Sequence, residues 1–186
     1  MDFKSKYISE SFYQQPTKIL QRINEVVIMQ QQDFNKTWKK IQQEMADQKI
    51  FIKTANNLTS EQKSFVQQYF DETVESNVIP ILLHDNSPMP YLRDKSLYLG
   101  IAMRRKDFLY ETKDAIIEIP SREIGRFVLL PSEDKDEKNV MLLEDVITFN
   151  LPHIFSYFGY DEFSAHCFKV TKDAELDLDN DIKTTH

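Results

Sequence analysis

From Thr17 to Gln48 the chain contains neither glycine nor proline. Apolar residues recur there at Ile19, Ile23, Val26, Val27, Phe34, Trp38, Ile41 and Met45. Spacings of three, four and seven place these side chains on one face of an α-helix. Pro16 stands just ahead, where its fixed φ and missing N–H suit a first helical turn. A helix of about thirty residues far exceeds the typical length of roughly eleven. A lone small domain has little use for such a rod. It reads as an arm that bridges two bodies or packs along a partner, with Phe34, Trp38, Ile41 and Met45 as candidate interface residues.

The rest of the chain carries shorter signals. Ile50-Phe51-Ile52 predicts a strand. Thr59 and Gln62 form a capping box at the start of a helix, with Phe65, Val66, Tyr69, Phe70 and Val74 on one side and Asn77 as its stop. Val78 to Leu83 is apolar but interrupted by Pro80, which suits an edge strand. His84 to Tyr91, with Pro88 and Pro90, predicts a loop. Strict alternation of Leu97, Leu99, Ile101 and Met103 predicts a strand, and Arg104 to Asp107 a turn. Ala115–Ile119 and Arg126–Leu130 predict further strands, each ended by proline. Ser132 to Asn139 reads as a charged loop. Leu143 opens a helix expected to run to about Phe158, with Glu144 and Asp145 in its first turn. Glu162 to Val170 is the last expected strand. Without regular βαβ alternation, the expected class is α+β: a mixed β-sheet with flanking helices, preceded by the long N-terminal helix. The expected division is a helical arm over 1–47 and a second domain over 48–186.

Bulk properties narrow the function classes. A length of 186 residues suits one ordinary domain and a short second element. Thirty acidic against 23 basic residues give a net charge of −7, which argues against a nucleic-acid binder that uses its whole surface. An anion can be held only by a local basic patch, and Arg104-Arg105-Lys106 is the densest one. A solvated hairpin tip is the alternative reading of that cluster. One cysteine, Cys167, cannot form an internal disulfide and fits a reducing compartment. No stretch approaches the roughly 18 apolar residues of a membrane helix. The N-terminus lacks the apolar run of a signal peptide. A cytoplasmic protein is therefore expected, and the sequons at Asn35 and Asn57 read as chance.

No catalytic constellation emerges from spacing. Phosphate-cradling loops need clustered glycines, and Gly100, Gly125 and Gly159 stand apart. The four histidines, His84, His153, His166 and His186, form no metal-binding pair by spacing. His84-Asp85 offers an acid–base pair or plain loop surface. Cys167 and His166 point to opposite faces of a strand and Lys169 is the one local cation, so a buried structural thiol is expected. Asp177, Asp179 and Asp181 match the start of a calcium loop, but Ile182 occupies the position that needs glycine. No catalytic, cofactor or metal residue is assigned.

Several stretches, taken in order, resemble the bacterial polyphosphate kinase family. These are Pro16-Thr17-Lys18-Ile19-Leu20 to Gln30-Gln31-Gln32-Asp33-Phe34; Leu58-Thr59-Ser60-Glu61-Gln62 with Tyr69-Phe70 and Val78-Ile79-Pro80-Ile81-Leu82; Ser96-Leu97-Tyr98-Leu99; Arg126 to Pro131; Leu143 to Ile147; and Phe168-Lys169-Val170-Thr171-Lys172-Asp173-Ala174-Glu175-Leu176-Asp177. Leu83–Pro90 and Arg93-Asp94-Lys95 depart from the family pattern. The resemblance implies the middle (head) domain of an ATP:polyphosphate phosphotransferase, preceded by the last helix of its N-terminal domain and truncated C-terminally. It implies that the parent enzyme uses ATP and Mg²⁺ and reversibly transfers the terminal phosphate of ATP to polyphosphate. The phosphorylated histidine and phosphate-binding residues are then expected in later domains, and the adenine-contacting element ahead of this chain. The partners implied are the remaining domains of the parent and a second copy of the chain. By this reading the chain alone is a non-catalytic structural fragment. The alternatives are a stand-alone interaction scaffold and a small polyanion-binding protein that uses Arg104, Arg105 and Lys106.

Overall fold

The computed structural model describes residues 16–85, 87–106 and 108–172. The chain divides into two compact units with the boundary between Phe51 and Ile52. The acidic pattern at Asp177, Asp179 and Asp181 lies outside the described residues.

The first unit is dominated by α1, Pro16–Asp47, 32 residues without interruption and with no buried residue. Its polar face is held by short-range pairs one turn apart, such as Gln21 Nε2 to Glu25 Oε1 at 3.1 Å and Lys40 Nζ to Glu44 Oε1 at 3.7 Å. Each such pair adds only a few tenths of a kcal/mol. Lys49, at a positive φ of 57°, turns the chain out of the helix and into β1, Ile50–Lys53.

The second unit is α+β. The strands are β1, which crosses the boundary, β2 (Pro80–Leu82), β3 (Leu97–Arg105), β4 (Phe108–Glu118), β5 (Phe127–Leu130), β6 (Lys138–Leu142) and β7 (Glu162–Lys169). One sheet runs β2-β4-β3-β7 and the other β1-β6-β5. β3 is the spine of the larger sheet, antiparallel to β4 on one side and β7 on the other. Its alternation is as the sequence predicts: Leu99, Ile101 and Met103 are buried in the core, while Arg104 is exposed. β2 is the expected edge strand, paired only with β4 and opened by proline.

Two helical segments close the core. α2, Ser60–Tyr69, is followed by a π-helical turn, Phe70–Val74, and a 3₁₀ turn, Glu75–Asn77. The sequence predicts one helix to Asn77; the ladder instead widens where Phe70 and Val74 are both driven fully into the core. The second segment is α3, Leu143–Phe149, then α4, Leu151–Ile154, and a 3₁₀ turn at Ser156–Phe158. A single helix to Phe158 is not what forms. Pro152 lacks an N–H and starts a new helix, while the buried Asn150 donates Nδ2 to the Val146 carbonyl at 2.9 Å and ends the previous one. β6 is also new, because Ser132–Asn139 reads as loop up to its last residue. Arg104 and Arg105 lie inside β3 and not in a turn; the pairing shifts register between them. The core gathers Val66, Phe70, Val74, Ile117, Met141, Leu143, Ile147, Leu151 and Phe155.

The cap at the start of α2 is the reciprocal one. Thr59 Oγ1 accepts from the Gln62 N–H at 3.2 Å, and Gln62 Oε1 accepts from the Thr59 N–H at 3.2 Å. Gln62 is buried, and its Nε2 donates to the Pro131 carbonyl at 2.9 Å, which fastens the helix to the end of β5. Thr59→Ala should cost about 1 kcal/mol of stability. Gln62→Ala should cost more, because it also strips the half-buried Pro131 carbonyl of its donor. Urea denaturation of the two variants checks the order; equal losses would mean that the Pro131 bond contributes nothing.

Candidate functional site

The basic cluster is split by the fold. Arg105 Nη2 donates to the Phe158 carbonyl at 2.9 Å, and its guanidinium lies 5.2 Å from the centre of the Tyr160 ring. It is thereby committed to the 156–160 turn, where Gly159 takes a φ of 70°. The Lys106 N–H donates to Asp161 Oδ1 at 3.0 Å, bringing a carboxylate next to the basic residues. Arg104 is exposed. The three residues therefore do not form one concentrated anion-binding patch of equal members.

The interface candidates of α1 remain on its surface. Phe34 is 65% exposed, Trp38 39% and Ile41 41%, with Met45 partly covered. Large apolar side chains thus stand open to water along α1. A second such surface, within the second unit, is the outer face of β5, where Phe127 and Leu129 alternate with the buried Val128 and Leu130.

The strongest electrostatic feature was not legible in the sequence. Arg126, just ahead of β5, grips Glu144 in the first turn of α3. Its Nε donates to both carboxylate oxygens, at 3.0 and 3.2 Å, and its Nη2 closes a further contact to Oε1. Glu144 is almost entirely buried. The hydrogen bond to Glu144 raises the Arg126 pKa further above its ordinary value. Burial, aided by the Glu144 charge, pushes the Asp145 carboxyl up. Cys167 on β7 is influenced by the same group: desolvation first, then the Glu144 charge, raises its thiol pKa. Cys167 is exposed, contrary to the buried thiol expected: of its face of β7, Phe163 and Ala165 pack against the core and Cys167 lies beyond them. A thiol held protonated in this way is a poor nucleophile.

A cleft of ≈ 560 Å³ lies beside β2, lined by Ile79, Ile81, Tyr91, Arg93, Tyr98 and Glu118 among others. Arg93 is 3.7 Å from Glu118 and its N–H donates to Tyr98 Oη at 2.7 Å. The Arg93 cation is thus paired with Glu118, and a second carboxylate, Glu123, also lines the cleft. Of the histidines, His84 lies in the loop after β2, His166 on β7 and His153 on α4. His153 is flanked by Asp71 and Glu75, a grouping that residue spacing could not reveal because it forms only through tertiary packing. Among the described residues no nucleophile is placed beside a base with a third group to orient it. No helix of the described residues is long and apolar enough to cross a membrane.

Comparison with known proteins places this architecture. Residues 61–185 match the sequence profile of the polyphosphate kinase middle domain. The chain is similar to the polyphosphate kinase of Vibrio cholerae serotype O1, 34% identical over 168 residues, covering 89% of this chain and 24% of that protein. It is also similar to the polyphosphate kinase of Yersinia pestis, 33% identical over 171 residues, covering 90% of this chain and 24% of that protein. The crystal structure of polyphosphate kinase from Porphyromonas gingivalis superposes with a TM-score of 0.75 over 94% of this chain and 26% of that one. At 24% identity this likeness speaks to the fold alone. The chain spans about a quarter of the length of the curated relatives it matches. With its second unit matched almost end to end, the chain belongs to the polyphosphate kinase family, through that family's middle domain.

Proposed function

We propose that this chain serves as the middle domain of a polyphosphate kinase, with residues 1–47 as a helical arm and 48–186 as the domain proper, and that it supplies shape and contact area, not reacting groups. The observation that carries this reading is the match to the middle domain over residues 61–185, in relatives about four times as long. The parent reaction is then reversible transfer of the terminal phosphate of ATP to polyphosphate, in the cytoplasm, by an enzyme assembled from more than one copy.

ATP and Mg²⁺ belong to the parent enzyme in this reading. The described residues do not fit them. No glycine-rich turn offers converging amides to phosphates: Gly100 lies within β3, and Gly125 and Gly159 stand in separate turns. The one group of side chains near enough together to ligate an ion includes an imidazole, whereas Mg²⁺ is held through oxygen and water. No step of phosphoryl transfer is assigned to this chain.

The test is direct. Purified chain incubated with ATP and Mg²⁺ should form no polyphosphate and acquire no phosphate on His84, His153 or His166. Polyphosphate formation, or a phosphohistidine at any of these positions, would overturn the assignment. The same sample titrated with polyphosphate should show at most weak, salt-sensitive binding. Tight binding lost in Arg104→Ala/Arg105→Ala would favour a polyanion-binding protein instead.

A further inference from the structure

We propose that Asp71, Glu75 and His153 form a surface site for a borderline divalent transition-metal ion of the Zn²⁺ class. The site is independent of the phosphoryl-transfer reading and does not rest on it.

The three ligand atoms lie within 4.8 Å of one another. His153 Nε2 is 3.4 Å from Glu75 Oε1 and 4.0 Å from Asp71 Oδ1. Both separations exceed the roughly 2.7–3.2 Å of a well-made hydrogen bond. They match the spacing of ligands around an ion instead. With metal–ligand distances of about 2.1 Å, neighbouring ligand atoms of a tetrahedral site stand about 3.4 Å apart, and those of an octahedral site about 3.0 Å. The imidazole–Glu75 separation is already a tetrahedral edge. Asp71 stands about half an ångström beyond that edge from the imidazole and within 4.8 Å of the Glu75 carboxylate, a gap that rotation of exposed side chains can close.

The scaffold behind the ligands is rigid where it matters. Asp71 lies in the π-helical turn and Glu75 follows it immediately, so both leave the same side of the chain. Phe70, fully buried, meets the His153 ring edge to face, with centroids 6.0 Å apart at 79°. That contact fixes the imidazole plane while its outer nitrogen stays at the surface. Three protein ligands leave positions for water, the arrangement of an open site. An imidazole with two carboxylates selects Zn²⁺, Co²⁺ or Ni²⁺ over Mg²⁺ and Ca²⁺. Bound metal would tie the π-turn to α4, two segments far apart in sequence.

Cobalt is the probe, because its visible bands report coordination directly. Titration of the full chain with Co²⁺ should give saturable d–d bands at one ion per chain, reversed by Zn²⁺ and not by an equal concentration of Mg²⁺. His153→Gln should weaken binding by about a hundredfold or more. Asp71→Asn and Glu75→Gln, surface changes that keep the fold, should each do likewise if His153→Gln proves unstable. His166→Gln should leave binding unchanged. Failure to bind Co²⁺ at millimolar concentration, binding that survives His153→Gln, or displacement by Mg²⁺ on equal terms would each overturn the site.

Discussion

Phe70→Ala should lower the unfolding free energy by about 3–5 kcal/mol. The whole stability of a domain of this kind is about 5–15 kcal/mol, so a large share of the protein should be unfolded in mild denaturant. Phe70 is completely buried and begins the π-turn that links α2 to the core. Removing its ring leaves a cavity bordered by elements that cannot collapse together, because α2 is pinned through Gln62 to Pro131 on one side. The loss also frees the His153 imidazole that the ring contacts. Phe127→Ala is the matched control. Phe127 is 72% exposed, so its removal should change stability by less than about 0.5 kcal/mol. Urea midpoints at unchanged slope measure both. Equal losses at the two positions would refute the placement of the core.

The second large effect is expected at Arg126. Arg126→Ala removes the guanidinium but leaves the Glu144 carboxylate buried and without its counter-ion, a change of about 3 kcal/mol. Glu144→Gln should cost less, because the Arg126 side chain is partly exposed and water can solvate it. The double variant should recover part of the Arg126→Ala loss, since no lone buried charge remains. Asp145 adds a pH signature. Its folded pKa is already raised by burial, and Arg126 is the group that lowers it. In Arg126→Ala it should rise further. A raised folded pKa means that the native state binds the proton more tightly than the unfolded chain. Stability from this group is then lost as pH rises from the ordinary carboxylate value through the raised one. The gap between Arg126→Ala and the parent should therefore narrow as pH falls through that window. A gap that widens on acidification would contradict this placement of Asp145.

The sequence disclosed what local rules govern. The 3.6-residue spacing of Ile19 to Met45 and the absence of breakers specify α1. The alternation of Leu97 to Met103 specifies β3, and Thr59 with Gln62 announces α2. What stayed hidden depends on distant partners. β6 escaped because Val140-Met141-Leu142 runs straight into Leu143 without a turn residue, so one apolar run serves both a strand and a helix. β4 extends well before Ala115, where Lys113 and Asp114 are poor strand formers, because register holds them against Met103 and Ala102 of β3. The Arg126–Glu144 grip joins two segments that each read as ordinary, a strand start and a helix start. The same holds for Asp71, Glu75 and His153.

The two rims of the larger sheet are unequal. β2 is three residues long and begins with a proline that has no N–H to offer. β7 is eight residues long, and among the described residues its outward amides and carbonyls face no further strand. Uncontrolled stacking of one molecule on another, the usual hazard of an unfinished sheet, therefore has an easy route along β7 and a poor one along β2. The charged Glu162 and Lys169 at its two ends act as local guards. Between them, Cys167 is exposed, but its raised pKa keeps it largely protonated and slow to link two such rims covalently.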